Sequence, residues 1–242
     1  MSTWFISDLH LAPEETRITA GFLDFMLEPQ AGDSLYILGD FFNYWIGDDV
    51  KHPYIQQIQQ VLKATKDRGV DLYFMHGNRD FLIGDAFCKA SGMTLLNDPT
   101  VITLNGEPVV LMHGDSLCTR DEAYMAFRKM ARDPQWQQQF LSQSIEERIA
   151  FAQKARDESQ SSNSMKDESI MDVTPTEVDI ELTKLNSKRM IHGHTHRPAI
   201  HNWQFNGNEL ERIVLGDWYE KGWYLKVENG QYDLVEFDLP AV

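Results

Sequence analysis

The sequence predicts an α/β fold in which buried strands carry helices on their faces, and three observations lead there. In the first two-thirds of the 242 residues, short apolar runs alternate with stretches of helical spacing. The C-terminal part instead holds strand patterns, mostly joined by short turns, which suggests an antiparallel second half. Between the two lies a segment of about 120–171 with helical spacing and no strand signal. A hydrophobic content of 42%, with 11% aromatics, suits a globular chain able to bury a substantial core.

Taken in order, Trp4–Ser7, Leu35–Leu38, Leu72–Met75 and Val109–Met112 are short apolar runs of the kind that form buried strands. Thr16–Leu27, Tyr54–Lys66 and Phe81–Ser91 recur at helical spacing and read as the helices between them. Near the C-terminus, Arg189–His192, Arg212–Leu215, Gly222–Val227 and Tyr232–Phe237 read as strands. In the strand-free segment, Tyr124, Phe127, Met130, Trp136, Phe140, Ile145 and Ile149 give two or three amphipathic helices. These run into RDESQSSNSMKDES, which is too poor in apolar residues to build core. The organisation expected is a single domain over 1–242 with a helical insertion at about 120–171.

Charge and cysteine content bound the partners. A net charge of −15 leaves no broad basic footprint for nucleic acid, so an anionic substrate must be held by metal ions or a few placed arginines. Two cysteines, Cys88 and Cys118, are too few for a disulfide framework and suit a reducing compartment. No apolar run approaches the ~20 residues that span a bilayer, and MSTWFISDLH lacks the pattern of a leader. The expectation is a cytoplasmic protein with no obligate protein partner.

Several of the buried strands run into the same kind of residue. Asp8-Leu9-His10, Gly39-Asp40, Gly77-Asn78-Arg79-Asp80 and His113-Gly114-Asp115 follow the first four, and Gly193-His194-Thr195-His196 follows the strand ending near His192. Open α/β sheets bind ligands beyond the carboxyl ends of their strands, so these groups can converge on one rim. The candidate metal ligands there are Asp8, His10, Asp40, Asn78, His113, His194 and His196. Carboxylate, amide and imidazole without thiolate suit Mn²⁺, Fe²⁺ and similar ions better than structural zinc. Seven donors exceed the needs of one transition metal but match two ions sharing a bridging carboxylate. His192 completes a run of three alternating histidines, but Gly193 ends the strand there, and His192 is left outside the site.

These five blocks resemble the calcineurin-like metallophosphoesterases, and the match spans Asp8 to His196. The resemblance implies a two-sheet β-sandwich flanked by helices, with a dinuclear metal centre at one end. It implies that Asp8, His10, Asp40 and His196 hold one ion, and that Asp40 bridges to a second held by Asn78, His113 and His194. Many relatives carry a histidine after the asparagine of the third block, where this chain has Arg79. A guanidinium donates protons poorly but binds phosphate bidentately, which favours a pyrophosphate bond over an alkyl ester.

A closer resemblance, to the pyrophosphohydrolases of lipid A biosynthesis, is carried by FISDLHL, LYILGDFFNYWIGDD, FMHGNRDFL, VLMHGDSLCTRDEAY, SSNSMKDESIMDV and MIHGHTHRPAIH. It implies two Mn²⁺ ions and UDP-2,3-diacylglucosamine as substrate. Water would attack the α-phosphate, releasing UMP and 2,3-diacylglucosamine 1-phosphate. It also implies Asn78, Arg79 and His194 as catalytic groups that touch phosphate, and Asp121, Ser159, Asn163 and Lys166 as further substrate contacts. Arg156 is a weaker candidate. A lipid substrate implies peripheral attachment to the cytoplasmic face of the inner membrane. Phe127, Met130, Phe140 and Ile149 would then either pack the inserted helices together or line a groove for acyl chains. Acids interspersed with the insertion's basic residues leave hydrophobic contact to carry that attachment. Two other readings stay open: a metallophosphodiesterase or nucleotide pyrophosphatase without lipid specificity, and a non-enzymatic scaffold.

Overall fold

The computed structural model describes the backbone of residues 1–163 and 170–241, and the side chains of these except 158–163. The first sheet forms around β1 (Thr3–Ile6), which pairs in parallel with β2 (Ser34–Leu38). β3 (Asp71–Met75) and β4 (Met93–Leu96) continue the parallel order. The crossovers are α1 (Thr16–Phe25), α2 (Pro53–Asp67) and α3 (Asp85–Ser91), as parallel pairing requires. On the other side of β1 lies a C-terminal hairpin, β10 (Lys221–Glu228) and β11 (Gln231–Asp238), antiparallel to it. The spatial order is β11-β10-β1-β2-β3-β4.

The second sheet has the order β5-β6-β7-β9-β8, built from β5 (Thr100–Leu104), β6 (Glu107–Leu111), β7 (Arg189–His192), β8 (Ala199–Phe205) and β9 (Asn208–Val214). Between β6 and β7 the chain makes α4 (Glu122–Ala131), α5 (Pro134–Leu141), α6 (Ile145–Asn163) and α7 (Pro175–Lys184).

Period-two alternation distributes side chains into three apolar layers. Phe5, Leu38, Met75, Val109, Leu111, Ile191 and Leu225 fill the space between the sheets. Trp4, Ile6, Leu35, Ile37, Leu72 and Phe74 point the other way, onto Phe22, Ile58, Leu62 and Phe87 of α1–α3. Val110, Met112 and Met190 pack on Val178 and Leu182 of α7. The central strands are buried on both faces, which is why they read as unbroken apolar runs.

The antiparallel second half is only partly realised. β6, β7 and β9 run parallel, with β5 and β8 as antiparallel edges, so β7, which leads into the His194 and His196 block, is a central strand fed by a long crossover. β8 escaped pattern reading because most of its side chains are exposed or half-buried, as an edge strand permits. The expected helix at Phe81–Ser91 starts only at Asp85. Residues before it are held as a loop, with Trp45 N–H bonding the Arg79 carbonyl at 3.0 Å and Ile83 N–H bonding the Asp80 carbonyl at 3.0 Å. The Asp48 carboxylate then accepts from Gly84 N–H at 3.0 Å and Phe87 N–H at 2.9 Å, satisfying donors at the helix start from a distant loop.

Candidate metal centre

Loops at the carboxyl ends of β1, β2, β3, β6 and β7 knit into one rim by backbone bonds. Asp8 N–H donates to the Gly39 carbonyl (3.1 Å), His10 N–H to the Asp40 carbonyl (3.0 Å) and Gly193 N–H to the His113 carbonyl (2.9 Å). Among the described residues nine that are not glycine have positive φ; four are asparagines, and the rest are Asp8, His10, Asp40, His194 and His196. Asparagine tolerates the left-handed region, whereas a run of aspartates and histidines there marks backbone held by its surroundings. Gly77 allows the closest approach: a Cβ on it would lie 2.1 Å from Asp40 Oδ1 and 2.2 Å from Asp40 N.

The side chains converge. Asn78 Oδ1 lies 2.9 Å from His113 Nε2 and 2.8 Å from His194 Nδ1. Asp40 Oδ2 is 3.4 Å from His10 Nε2, and Asp40 Oδ1 is 3.7 Å from His113 Nε2. Asp8 Oδ1 is 3.4 Å from His196 Nε2, while Asp8 Oδ2 accepts from the Ser7 hydroxyl (2.6 Å) and from His194 N–H (2.8 Å). Donor atoms of Asp8, His10 and His196 all lie within 4.8 Å of one another, and so do those of Asp8, Asp40 and His113. His113 Nδ1 donates to the Leu38 carbonyl at 2.8 Å, which turns Nε2 toward the cluster.

Two features fit this cluster to divalent cations. Asp8 Oδ1 and His10 Nδ1 are buried without a hydrogen-bond partner, and such groups are costly unless something else satisfies them. The electrostatics agree. Burial alone would raise the pKa values of Asp8 and Asp40, yet the imidazoles around them hold both far below the usual carboxylate range. Burial opposes charge on His113, but Asp40, Asp8 and Asp115 outweigh it and bring its pKa to about 9. Burial, helped by His113, lowers His194 to about 4. The cluster thus favours positive charge among fully ionised carboxylates.

The remaining expected residues fall into place unevenly. Arg79 Nη1 donates to Asn43 Oδ1 at 2.7 Å, and its Nε lies 3.4 Å from Asp40 Oδ2, which aims a guanidinium across the rim. Asp121 caps α4 by accepting from Tyr124 N–H at 3.1 Å. Arg156 lies on α6, half-buried. Ser159 and Asn163 belong to α6, but their side chains lie outside the described residues, as does Lys166 altogether. His192 is buried, with Nδ1 donating to the Gly193 carbonyl (2.8 Å) and Nε2 facing Arg212 Nη1 (3.3 Å). Burial and Arg212 push its pKa down to about 3, so it stands as a neutral support beneath the rim.

Pattern reading missed the supporting carboxylates. Asp80 Oδ1 accepts from Gly77 N–H (2.8 Å) and Oδ2 from Phe41 N–H (2.7 Å), pinning two metal loops together. Asp115 accepts from the Tyr124 hydroxyl (2.5 Å) and Arg128 Nε (2.8 Å), tying α4 to the rim. Asp217 Oδ2 lies 3.6 Å from His196 Nδ1, and the Tyr219 ring lies 5.2 Å from that of His10. Asp80 and Asp115 close two of the strand-end blocks without being counted among the ligands, and that place in the blocks was the available signal. Asp217 and Tyr219 come from the β9–β10 connection, which carries no ligand pattern of its own.

Beside the rim, Trp136, Phe140 and Phe151 form an aromatic cluster with centroids 5.1–5.7 Å apart. Met130, Leu141, Ile145 and Phe151 of α4–α6 remain 36–41% exposed. Arg148, although only 2% exposed, is anchored on Asp49 and on the Ile46 carbonyl at 2.6 Å, which fixes α6 to the loop after β2. Among the described residues no helix is long and apolar enough to cross a membrane.

The calcineurin-like phosphoesterase family model matches residues 1–198. A protein of Marinobacter nauticus is 51% identical over 96% of this chain and 95% of its own length, and carries the name UDP-2,3-diacylglucosamine hydrolase. Proteins of the same name from Chromohalobacter salexigens (50% identical, 95% of this chain, 94% of the relative) and Stenotrophomonas maltophilia strain K279a (51%, 97% and 98%) are similarly close.

Proposed function

This chain belongs to the calcineurin-like phosphoesterases, and on that premise we propose that it hydrolyses the pyrophosphate bond of UDP-2,3-diacylglucosamine in lipid A biosynthesis. The observation that carries this reading is half-identity over nearly the full length of relatives that share one name, UDP-2,3-diacylglucosamine hydrolase. The products are UMP and 2,3-diacylglucosamine 1-phosphate, from attack of water on the α-phosphate.

Two divalent ions, with Mn²⁺ the reading that the oxygen and nitrogen donors favour, would be held by Asp8, His10, Asp40 and His196 and by Asp40, Asn78, His113 and His194. Bound there, such ions lower the pKa of water and neutralise charge on phosphoryl oxygens. The chain's own groups do the rest. Arg79, steered by Asn43 and Asp40, offers a fork of N–H donors that stays charged throughout the reaction. Asn78 turns its amide oxygen to His113 and His194, which leaves its NH₂ to donate to a phosphoryl oxygen. The leaving group is itself a phosphate, stable as an anion at neutral pH, so the site has no need of a general acid at position 79.

The lipid half lies over α4–α6. Their exposed apolar side chains and the aromatic cluster beneath offer a surface on which each buried CH₂ gains roughly 0.8 kcal/mol. Asp121, Ser159, Asn163 and Lys166 contact the sugar and its phosphate. The same apolar surface gives peripheral contact with the cytoplasmic face of the inner membrane, from which the substrate is drawn. Turnover of UDP-2,3-diacylglucosamine against UDP-N-acetylglucosamine tests the lipid assignment. A strong preference for the diacylated substrate is expected, and equal kcat/KM values would refute it.

A further inference from the structure

The rim has two aromatic flanks of different character. His113 and His194, with ring centroids 5.1 Å apart, form one end of the ligand row; His10 and His196, 5.2 Å apart, form the other. At the first end stands Tyr124 of α4, 5.9 Å from His194 and hydrogen-bonded to Asp115. At the second stands Tyr219, 5.2 Å from His10 with the ring planes 32° apart, and 6.3 Å from His196. Tyr219 is 43% exposed. Among the described residues, the other exposed aromatics, Tyr44 and Phe151, make no ring contact with a candidate ligand.

A ring open to solvent usually has little to hold it, but this one is braced. Its neighbour Trp218 is fully buried, donating its backbone N–H to the Asp8 carbonyl (3.3 Å) and its indole N–H to the Trp223 carbonyl (3.0 Å). The Tyr219 hydroxyl also lies within reach of the Arg79 guanidinium. A substrate whose acyl half lies over α4–α6 enters from the Tyr124 end. Its nucleotide half then extends past the phosphate groups toward His10 and His196, where the exposed ring waits.

We propose that Tyr219 is the platform on which the nucleobase of the departing nucleotide stacks. The proposal rests on the activity reading above and deepens it by assigning the nucleotide end of the substrate. Stacking accepts any base, so this contact supplies affinity and orientation for a nucleotide without choosing uracil. It also explains why a flat, pre-braced ring stands beside metal ligands instead of a small polar side chain.

The test is calorimetric titration of the Mn²⁺-loaded protein with UMP and with ribose 5-phosphate, which share a phosphate but differ in the base. Wild type is expected to bind UMP more tightly by roughly tenfold, as one base–aromatic contact provides. Tyr219→Phe keeps the ring and should keep that preference. Tyr219→Ala and Tyr219→Leu, the latter retaining bulk without an aromatic face, should bind the two ligands alike with the metal content of wild type. A preference that survives in the alanine and leucine variants, or is missing in wild type, overturns the proposal. So does a loss of metal that weakens both ligands equally, since it would make the ring a cover for His10 and His196. Failure of wild type to turn over UDP-2,3-diacylglucosamine would instead refute the activity reading and leave this comparison standing.

Discussion

Replacing Arg128 by methionine strips a guanidinium from a carboxylate with no access to water. Asp115 is 0% exposed and Arg128 22%, and their charge-assisted bond is 2.8 Å long. Removing one partner of a buried pair costs about 3–5 kcal/mol. Here the Tyr124 hydroxyl still donates to Asp115 at 2.5 Å, and Arg132 Nη2 stays 3.9 Å away. Those contacts, with the residual exposure of Arg128, bring the expected loss to about 2 kcal/mol. Urea unfolding followed by tryptophan fluorescence should register it as a midpoint shift of roughly 1 M. Lys63→Met is the comparison: the partners Lys63 and Asp67 are 48% and 61% exposed, and losing that pair should cost no more than about 0.5 kcal/mol.

The effect of pH follows from the same carboxylate. Burial works against its charge, but His113, Arg128 and His194 hold the Asp115 pKa well below the usual range. Stability from a depressed carboxylate is fully present above the unfolded value of about 4 and fades as pH falls through the folded one. Arg128 also lies 3.8 Å from Asp98, whose carboxyl burial raises to about 6, so the Arg128→Met penalty should ease slightly as pH falls through 6 and shrink further below pH 4. A penalty as small as that of Lys63→Met, or one that grows in acid, would refute the account of how α4 is tied to the rim.

Three further outcomes follow from the geometry. Gly77→Ala should abolish metal binding and activity together, because its Cβ would sit 2.1 Å from Asp40 Oδ1; metal analysis of the purified variant checks this. His192→Phe should leave the metal content unchanged while lowering stability by about 1–3 kcal/mol, since it removes the acceptor facing Arg212 and the donor to the Gly193 carbonyl. Cys88 and Cys118 are buried, and burial pushes both thiols up to about 12, so neither should react with iodoacetamide at pH 7.5 until the chain unfolds; mass spectrometry reads the result.

The parts of this molecule that were legible in its sequence are those where one requirement dominates. Leu35–Leu38 and Val109–Met112 show themselves as strands because burial on both faces leaves only apolar residues. The ligand blocks show themselves because metal donors must follow those strands and glycines must let them approach. Where two requirements compete, the pattern blurs. Phe81–Gly84 is apolar enough for a helix, yet the hydrogen bonds of Asp80 and the Arg79 carbonyl hold it as a loop. Ala199–Phe205 pairs as an edge strand whose half-wet faces leave no alternation to read. Tyr219 and Asp217 reach the rim only because β10 pairs with β1, a contact between chain ends that local pattern does not encode.

Hydrolysis at this rim is expected to depend on bound metal. Metal content and turnover of UDP-2,3-diacylglucosamine should be measured together, for wild type and Asp40→Ala, after chelation and after Mn²⁺ is returned. Wild type should hold two ions per chain, lose activity to the chelator and regain it with Mn²⁺. Asp40→Ala should lose at least one ion and all turnover. Full activity in the chelated protein, or an Asp40→Ala variant that still cleaves the lipid nucleotide, would contradict the central claim.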